Sequence, residues 1–235
     1  MIPFAQHQLA LSLTFTDGAE LTNFVVGKNS LALERVKLAA SGLGEFILYV
    51  WGATSVGKTH LLQGACNAAT LNHGLSAIYI PLRQYKKLKV QDLAGLEQLD
   101  LVCLDDIEHI CGDPIWEEAI FYLYNRMRAL NKHLLVASNG AASHLSCGLL
   151  DLKTRLGWGE IYHLESLSDD EKMQALKVRA QQRGLLLSND VLQYIFNRSN
   201  RSMGALYQNL EILDKASLTL QRKLTIPFVK KILNM

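Results

Sequence analysis

The residues Gly52, Gly57, Lys58 and Thr59 carry the most specific chemical pattern in this 235-residue sequence. They complete the pattern Gly-x-x-x-x-Gly-Lys-Thr, which follows an apolar run and precedes a helical pattern. In that setting backbone N–H groups wrap phosphates, the lysine reaches the terminal phosphates and the threonine hydroxyl binds Mg²⁺. The alternative is a glycine turn beside an exposed lysine. The pattern predicts a phosphate-binding loop with these contact residues: Gly52, Ala53, Thr54, Ser55, Val56, Gly57, Lys58, Thr59 and His60.

Polar residues also follow two other apolar runs. Asp105 and Asp106 come after the run 101–104, and Ser138 and Asn139 come after the run 134–137. If these runs are strands, Asp105 can orient a Mg²⁺ shell, Asp106 can polarise a water for attack on a γ-phosphate, and Asn139 can hold that water. Both pairs also suit the start of an ordinary loop, so the residues alone leave the two interpretations open.

Five short apolar runs, separated by helical patterns, must position these residues. They span 46–51, 77–80, 101–104, 134–137 and 161–164. Because they lack polar alternation, they are typical of strands covered on both faces. We therefore predict an α/β fold with a parallel five-stranded sheet sandwiched by helices. One of the helical patterns, 114–131, is amphipathic and has Asp113 as its N-terminal cap.

Only helical patterns follow Leu164. They span 168–183, 188–199, 202–221 and 226–233, with a capping box from Ser168 to Glu171 and a stop at Gly184. From Ser166 onward there are 11 Lys and Arg against 6 Asp and Glu, whereas the preceding residues are net acidic. We predict a base domain at 21–165, a small all-helical domain at 166–235, and an extended tail at 1–20 outside the core.

The composition excludes several classes of protein. A formal net charge of +2 is too small for a protein that coats duplex DNA. The four cysteines show no Cys-x-x-Cys pair, and three lie in apolar segments, which predicts buried reduced thiols and a cytoplasmic protein. The sequence shows no signal-peptide pattern, and no apolar run approaches the ~20 residues that cross a bilayer. Residues 83–89, four cations around Tyr85, form either a single-strand contact or a solvated loop.

Four segments carry a resemblance to a known family. They are FVVGKN at 24–29, GKTHLL at 57–62, DDIE at 105–108 and RLGWG at 155–159. Together they resemble the AAA+ region of the bacterial replication initiator DnaA, over residues 24–220. The resemblance implies a P-loop AAA+ module followed by a helical lid domain, with ATP or ADP and Mg²⁺ as cofactors. It also implies an adenine pocket bordered by Phe24, Val25 and Val26.

Two arginines take roles from the same resemblance. Arg155 matches a finger that is offered to the nucleotide of a neighbouring subunit, where a guanidinium can raise turnover about 10³- to 10⁵-fold. From the residues alone, an ion pair with Asp151 is the alternative. Arg201 matches the lid arginine that contacts the γ-phosphate from the same subunit. With Asp106 and Asn139, these two arginines complete the predicted catalytic group.

The sequence departs from the DnaA pattern at both ends. Neither the helix-turn-helix DNA-binding domain after the lid nor the large self-association region before the ATPase region is recognisable. At 8–13 the sequence QLALSL is similar to the Gln-Leu-x-Leu-x-Leu motif by which replication proteins bind the β sliding clamp. The predicted clamp-binding residues are Gln8, Leu9, Leu11 and Leu13, and an extended segment can put such leucines into an apolar pocket. An amphipathic strand is the alternative.

The resemblance to DnaA, taken with the similarity to the clamp-binding motif, implies a negative regulator of replication initiation. It binds the clamp, presents Arg155 to ATP held by the DnaA initiator, and leaves that initiator in its inactive ADP form. It contacts DNA only through the clamp, holds ADP in its working state, and has weak turnover of its own as a monomer or homodimer. One alternative is a DnaA-like ATPase that loads a helicase or remodels complexes on DNA, with vigorous turnover. Another is a binding module that never hydrolyses its nucleotide.

Overall fold

A parallel five-stranded sheet forms the centre of the fold. The computed structural model describes residues 18–235. The strands are β1 (Ile47–Trp51), β2 (Ala77–Pro81), β3 (Leu101–Asp105), β4 (His133–Ser138) and β5 (Glu160–His163). Their order across the sheet is β2-β3-β4-β1-β5, and every neighbouring pair is parallel. The predicted sheet is therefore confirmed. The carboxyl ends of β3, β4 and β1 lie side by side at one edge.

Helices cover both faces of this sheet. Helices α1 (Ser30–Ala40) and α2 (Lys58–His73) pack on one face, and α3 (Pro114–Ala129) and α4 (Leu150–Leu156) pack on the other. Successive side chains of a strand point to opposite faces. Ile47 and Tyr49 of β1 accordingly join one apolar cluster, and Leu48 and Val50 join the other. This double burial explains why the strand sequences are almost continuously apolar.

The edge strand β5 differs from its prediction. The sequence predicts a strand covered on both faces, but the residues of β5 alternate between half-buried and exposed, and Ile161 is 43% exposed. The reason is position, since β5 pairs only with β1 and no described helix covers its outer side. An apolar residue in a short run does not reveal whether its strand is central or at an edge.

The cap predicted for α3 is present. Asp113 accepts hydrogen bonds from the backbone N–H groups of Ile115 (3.2 Å) and Trp116 (3.4 Å), and Pro114 occupies the first helical position. Such a cap satisfies N–H groups that have no partner within the helix. It fixes the start of α3, which follows the segment that carries Asp105 and Asp106.

The chain after Glu165 forms four helices around a separate apolar core. They are α5 (Asp169–Gln182), α6 (Asn189–Arg198), α7 (Met203–Leu220) and α8 (Ile226–Leu233). The predicted capping box is present at the start of α5, where Ser168 N–H donates to Glu171 (2.7 Å) and Glu171 N–H donates to Ser168 (3.4 Å). These helices form the helical lid domain.

One residue of the predicted tail, Ala19, packs into the base domain, while its neighbours Gly18 and Glu20 are exposed. Ala19 is fully buried, its carbonyl accepts a hydrogen bond from Asn67 of α2 (2.7 Å), and the Glu20 carbonyl lies 2.9 Å from Nε2 of His60. Packing against α2 decides the position of these residues, and their own sequence gives no sign of it. The predicted clamp-binding residues Gln8, Leu9, Leu11 and Leu13 lie outside the described residues.

Two of the four cysteines are not the reduced thiols that the sequence predicts. Cys111 and Cys147 are joined by a disulfide, with Cα atoms 4.3 Å apart and a sequence separation of 36. Cys66 and Cys103 are buried free thiols. The fold brings the two cysteines together across a sequence separation of 36, and a search for Cys-x-x-Cys spacing does not detect such a pair. Within residues 18–235, no helix combines the length and the apolar character that membrane crossing requires.

Candidate functional site

Lys58 is held inside the loop that the sequence predicts to bind phosphate. The loop follows β1, and Lys58 begins α2. The Lys58 ammonium donates to the carbonyls of Gly52 (2.7 Å) and Ala53 (2.9 Å) and to Oδ1 of Asn139 (2.8 Å). Burial lowers the pKa of Lys58, although the nearby carboxylates of Asp106 and Glu108 act in the opposite direction. The loop therefore presents a preformed, partly desolvated cation at the start of a helix.

Gly57 makes the close packing of this loop possible. Its φ of +106° lies in the region that favours glycine, and a Cβ at this position would lie 2.8 Å from the ring of Phe24. Phe24 thus packs directly on the loop, as an aromatic side chain at the edge of a base pocket must do.

A buried pair of oxygen ligands lies beside the loop. The Thr59 hydroxyl donates to Oδ2 of Asp105 (2.7 Å), and the Tyr79 hydroxyl donates to the same oxygen (2.8 Å). Asp105 is 1% exposed, and burial raises the pKa of its carboxyl above the ordinary value. Hard divalent cations such as Mg²⁺ take oxygen ligands of this kind, with waters and phosphate oxygens completing the shell. The two residues fit the metal role predicted for them.

The carboxylate of Asp106 is already paired with a cation. Asp106 has φ +57° and ψ +49°, which turns its side chain away from the strand direction. Nε and Nη2 of Arg83 lie 3.1 Å and 2.9 Å from its Oδ2. Arg83 comes from the 3₁₀ segment Leu82–Lys87, which follows β2. Of the residues 83–89, the first is thus a component of this site.

Asn139 is oriented by a residue that the sequence patterns miss. Its amide nitrogen donates to Oε1 of Glu108, and the Ser138 hydroxyl donates to Oε2 of Glu108 (2.9 Å). This arrangement leaves the Asn139 carbonyl oxygen for Lys58. The motif residues at the ends of β1, β3 and β4 therefore form one group, in which Lys58 bonds to Asn139 and its neighbour Thr59 bonds to Asp105.

A cavity of about 230 Å³ opens between this group and the lid. Phe24 packs on the phosphate-binding loop, Val25 packs against the apolar core of the lid, and residues of α5 and α7 complete the lining. Most of the predicted site residues line the cavity: Phe24, Val25, Thr54, Ser55, Val56, Gly57, Lys58, Thr59, His60, Asp106 and Asn139. The structure therefore brings the nucleotide-binding prediction together in one place.

Some predicted residues lie outside the lining of this cavity. Asp105, Gly52 and Ala53 lie behind the lining and contact it through Thr59 and Lys58. Val26 packs against the apolar cluster of α1 and α2, so it does not border the cavity as the resemblance implies.

The predicted lid arginine also lies elsewhere. Nη1 of Arg201 is 2.7 Å from Oδ2 of Asp169, its guanidinium lies over the Phe196 ring at 5.2 Å, and Arg201 does not line the cavity. The lid contributes Arg179, Gly204 and Tyr207 instead. Arg179 is 8% exposed and lies 5.9 Å from the centre of the Tyr207 ring. The sequence of α5 has little apolar periodicity, so it gives no signal of which of its residues faces the cavity.

Arg155 lies on α4 in an aromatic cluster away from the cavity. Its guanidinium is 5.0 Å from the Phe121 ring centre, 5.8 Å from that of Tyr124 and 5.2 Å from that of Trp158. Arg155 and Asp151, both described, form no ion pair. Stacking on aromatic faces holds a guanidinium while its charge stays uncancelled.

Comparison with known proteins identifies the family. Residues 17–163 match the family model of the bacterial DnaA ATPase domain. The chain belongs to the DnaA family. Residues 169–233 match the model of the Hda lid domain, so this DnaA-family chain combines a DnaA-type ATPase domain with an Hda-type lid.

The chain is also similar to individual proteins of known sequence or structure. An uncharacterised protein of Haemophilus influenzae is 44% identical over 229 residues, which cover 97% of this chain and 99% of that protein. Domain III of Thermotoga maritima DnaA has a TM-score of 0.80 at 20% identity, covering 94% and 97% of the two chains. AMPPCP-bound DnaA of Aquifex aeolicus has a TM-score of 0.67 at 25% identity, covering 87% of this chain and 66% of that one.

Proposed function

We propose that this DnaA-family protein is a negative regulator of replication initiation, which binds the β sliding clamp and stimulates hydrolysis of ATP held by the DnaA initiator. The observation that carries the proposal is the pairing of a DnaA-type ATPase domain with an Hda-type lid in one chain. A domain of the initiator's own family is suited to pack against the initiator's nucleotide site. In a heterologous, head-to-tail contact, one surface of a subunit packs against a different surface of its neighbour, and two homologous subunits can do the same.

In this proposal the protein's own nucleotide supports its structure more than it drives a reaction. The loop of Gly52 to Thr59 and the lid hold ATP or ADP, and Thr59 and Asp105 hold Mg²⁺, which neutralises phosphate charge when bound. Lys58 and the loop N–H groups bind the phosphates, and Phe24 and Val25 border the base.

Two contacts favour weak turnover and an ADP form. The Arg83 guanidinium occupies Oδ2 of the Asp106 carboxylate, so that oxygen is already engaged when a water arrives. Arg201, matched by resemblance to the γ-phosphate contact, pairs with Asp169 instead. Without an arginine on the γ-phosphate, the site gains less affinity for ATP over ADP. High turnover by the protein alone would instead support a helicase loader or remodeller.

The catalytic contribution to the partner is assigned to Arg155. When the initiator's ATP site approaches α4, the guanidinium enters it and stabilises charge on the transferring phosphoryl group. The aromatic rings of Phe121 and Trp158 hold Arg155 without neutralising it. Because the cation is supplied in trans, the two proteins must form a complex before hydrolysis is accelerated.

The Arg155 assignment is tested with DnaA carrying radiolabelled ATP and with clamp loaded on DNA. Arg155→Ala is expected to lower the stimulated hydrolysis rate by roughly 10³-fold, or to the level without the regulator. Arg128→Ala is the matched control, because Arg128 also lies over the Trp158 ring, at 5.4 Å. Wild-type stimulation by Arg155→Ala would overturn the finger role.

The clamp contact is tested separately by retention on immobilised clamp. Replacing Leu11 and Leu13 together by alanine is expected to abolish retention, because both anchor side chains of the extended motif are removed. Leu43→Ala serves as control, since Leu43 is a 60% exposed leucine in the described chain. Equal retention of the double variant and wild type would contradict clamp binding through residues 8–13.

A further inference from the structure

The Cys111–Cys147 bond joins two segments that serve different parts of the molecule. Cys111 follows the 3₁₀ turn Ile107–Ile110, which begins directly after Asp106. Cys147 lies three residues before Leu150, the first residue of α4. The bond therefore connects the segment after β3, beside the nucleotide site, to the segment that leads into the helix carrying Arg155.

A buried carboxylate reinforces this junction. Glu117 of α3 is 2% exposed, and its Oε1 accepts hydrogen bonds from the backbone N–H groups of Gly112 (2.7 Å) and Gly148 (3.0 Å). Its Oε2 accepts from the N–H of Leu149 (2.7 Å). These are the residues next to the two cysteines and before α4. The carboxylate and the disulfide thus hold the same two loops together.

The same side chains have a second chemical option. The two sulfurs and a Glu117 oxygen lie within 4.8 Å of one another, a spacing that a metal ion can use. Glu117, however, already accepts three backbone hydrogen bonds, and a metal would compete with them. Thiol chemistry needs only the two sulfurs.

We propose that Cys111 and Cys147 form a reversible thiol–disulfide site, oxidised by small disulfides such as glutathione disulfide, and that oxidation fixes the loop that begins α4. Cys111 is the more exposed of the pair and reacts first. Its thiolate attacks one sulfur of glutathione disulfide and releases one glutathione thiolate. The Cys147 thiolate then attacks the Cys111 sulfur of the mixed disulfide and releases the second. The protein gives up two electrons and two protons, and two glutathione molecules are formed.

The other two cysteines, Cys66 and Cys103, serve as an internal control for oxidation. Cys66 and Cys103 are close enough to interact, yet both are buried in the core between α2 and β3 and remain free thiols. Thiol–disulfide exchange requires access for the attacking thiolate and its partner. The two pairs should therefore respond differently to the same oxidant.

Peptide mapping of the full-length protein tests the site. After incubation in glutathione buffers of rising oxidised fraction, free thiols are alkylated under denaturing conditions. We expect a linked Cys111–Cys147 peptide, reversed by dithiothreitol, with Cys66 and Cys103 alkylated throughout. Alkylation of all four cysteines in excess glutathione disulfide would overturn the proposal. So would one equivalent of tightly held zinc, measured on the folded reduced protein, that keeps the pair from oxidising.

Hydrogen exchange tests the effect on the loop. Oxidation is expected to slow exchange at the amides of Gly148 and Leu149 by roughly tenfold or more, because opening of this loop becomes limited by the link. Cys66→Ala should keep this redox difference, and Cys111→Ser should lose it. Equal exchange in oxidised and reduced wild-type protein would overturn the fixing of the loop, and this comparison needs no variant to fold.

The consequence for Arg155 rests on the proposed function. If α4 presents the finger, the oxidised and reduced proteins should differ in their stimulation of initiator ATP hydrolysis at equal nucleotide occupancy. Peptide mapping and hydrogen exchange do not involve the initiator. They can therefore fail while the finger role holds, and can succeed while it fails.

Discussion

Of two lid arginines, motif matching selects Arg201, but the structure places Arg179 in the cavity lining. Arg179 lies in the cavity lining beside Tyr207, whereas Arg201 pairs with Asp169 outside that lining. A single sequence places an arginine near the start of a helix but does not give the rotation of that helix over the base. Arg83 and Glu108 escape motif reasoning for a similar reason, because each reaches the site through a 3₁₀ segment.

The arginines give a paired prediction. Arg179→Ala is expected to weaken ADP binding by about tenfold or more, the value of a hydrogen bond from a charged donor. Arg201→Ala is expected to leave the dissociation constant within about twofold, since its partner is Asp169. Titration calorimetry with Mg-ADP measures both. Arg179→Lys, which keeps the charge, controls for disruption of the lid.

The reverse order, with Arg201→Ala weakening binding and Arg179→Ala leaving it intact, would restore the role that the resemblance implies for Arg201. It would also mean that the lid turns when nucleotide binds.

Asp105 gives a prediction about pH. Burial raises the pKa of its carboxyl, so a proton competes with Mg²⁺ for this group at a higher pH than for an exposed aspartate. The Mg²⁺-dependent part of the nucleotide affinity should therefore fall as pH is lowered, and should do so at a higher pH than it would with an exposed aspartate. The folding stability of the ligand-free protein depends on pH in the opposite direction. The folded state keeps the Asp105 proton longer than the unfolded chain, so this group's contribution to stability declines as pH rises.

A fluorescent ADP analogue titrated with and without EDTA at each pH isolates the metal-dependent part. A metal-dependent affinity that stays constant as pH is lowered over the whole range in which the protein is folded would contradict metal binding at Asp105.

At the scale of elements, the sequence predicts the parts whose burial is uniform. The three central strands β1, β3 and β4 are almost continuously apolar because helices cover both of their faces, and the capped starts of α3 and α5 follow directly from local side chains. Edge strand β5 and the packing of Ala19 against α2 depend on what lies next to them in space. The nucleotide loop was predictable because its chemistry is local in sequence, whereas the lid side of the cavity was not.

The first turn of α7 lies against the phosphate-binding loop, and this gives a graded prediction. A Cβ at Gly204 would lie 2.8 Å from the Ser55 hydroxyl oxygen. That oxygen can rotate away, so Gly204→Ala should bind ADP within about twofold of wild type, because one χ1 change costs little. Gly204→Leu has no such escape and should lose roughly tenfold or more in affinity, as overpacking typically costs 1–3 kcal/mol.

The same calorimetric titration ranks the two variants, and their melting temperatures without nucleotide show whether the lid still folds. Wild-type affinity in Gly204→Leu would mean that α7 does not close on Ser55 when nucleotide is bound.

At the scale of the whole molecule, the base and the lid have separate apolar cores. The sheet is packed by two clusters, the lid by a third, and the cavity lies between them. A ligand that contacts both units couples their unfolding. In scanning calorimetry we expect two overlapping transitions without nucleotide, and one later transition with Mg-ADP. At 100 times the dissociation constant the ligand adds about 2.7 kcal/mol, or roughly 5–10 °C for a chain of this size.

Lys58→Ala, which lacks the loop cation, is the control and should keep two transitions at the same ADP concentration. A single transition in the absence of nucleotide would contradict independent cores.

The order of the strands sets when this site can come into existence during synthesis. Strand β1 precedes the phosphate-binding loop directly, yet it pairs only with β4 and β5, which end at Ser138 and His163. At about 5–20 residues per second, the ribosome needs roughly 5–20 s after Trp51 to deliver both neighbours. Through that interval the apolar residues 47–51 have no sheet to join. A nascent chain of this family is therefore expected to need chaperone protection before it can hold a nucleotide.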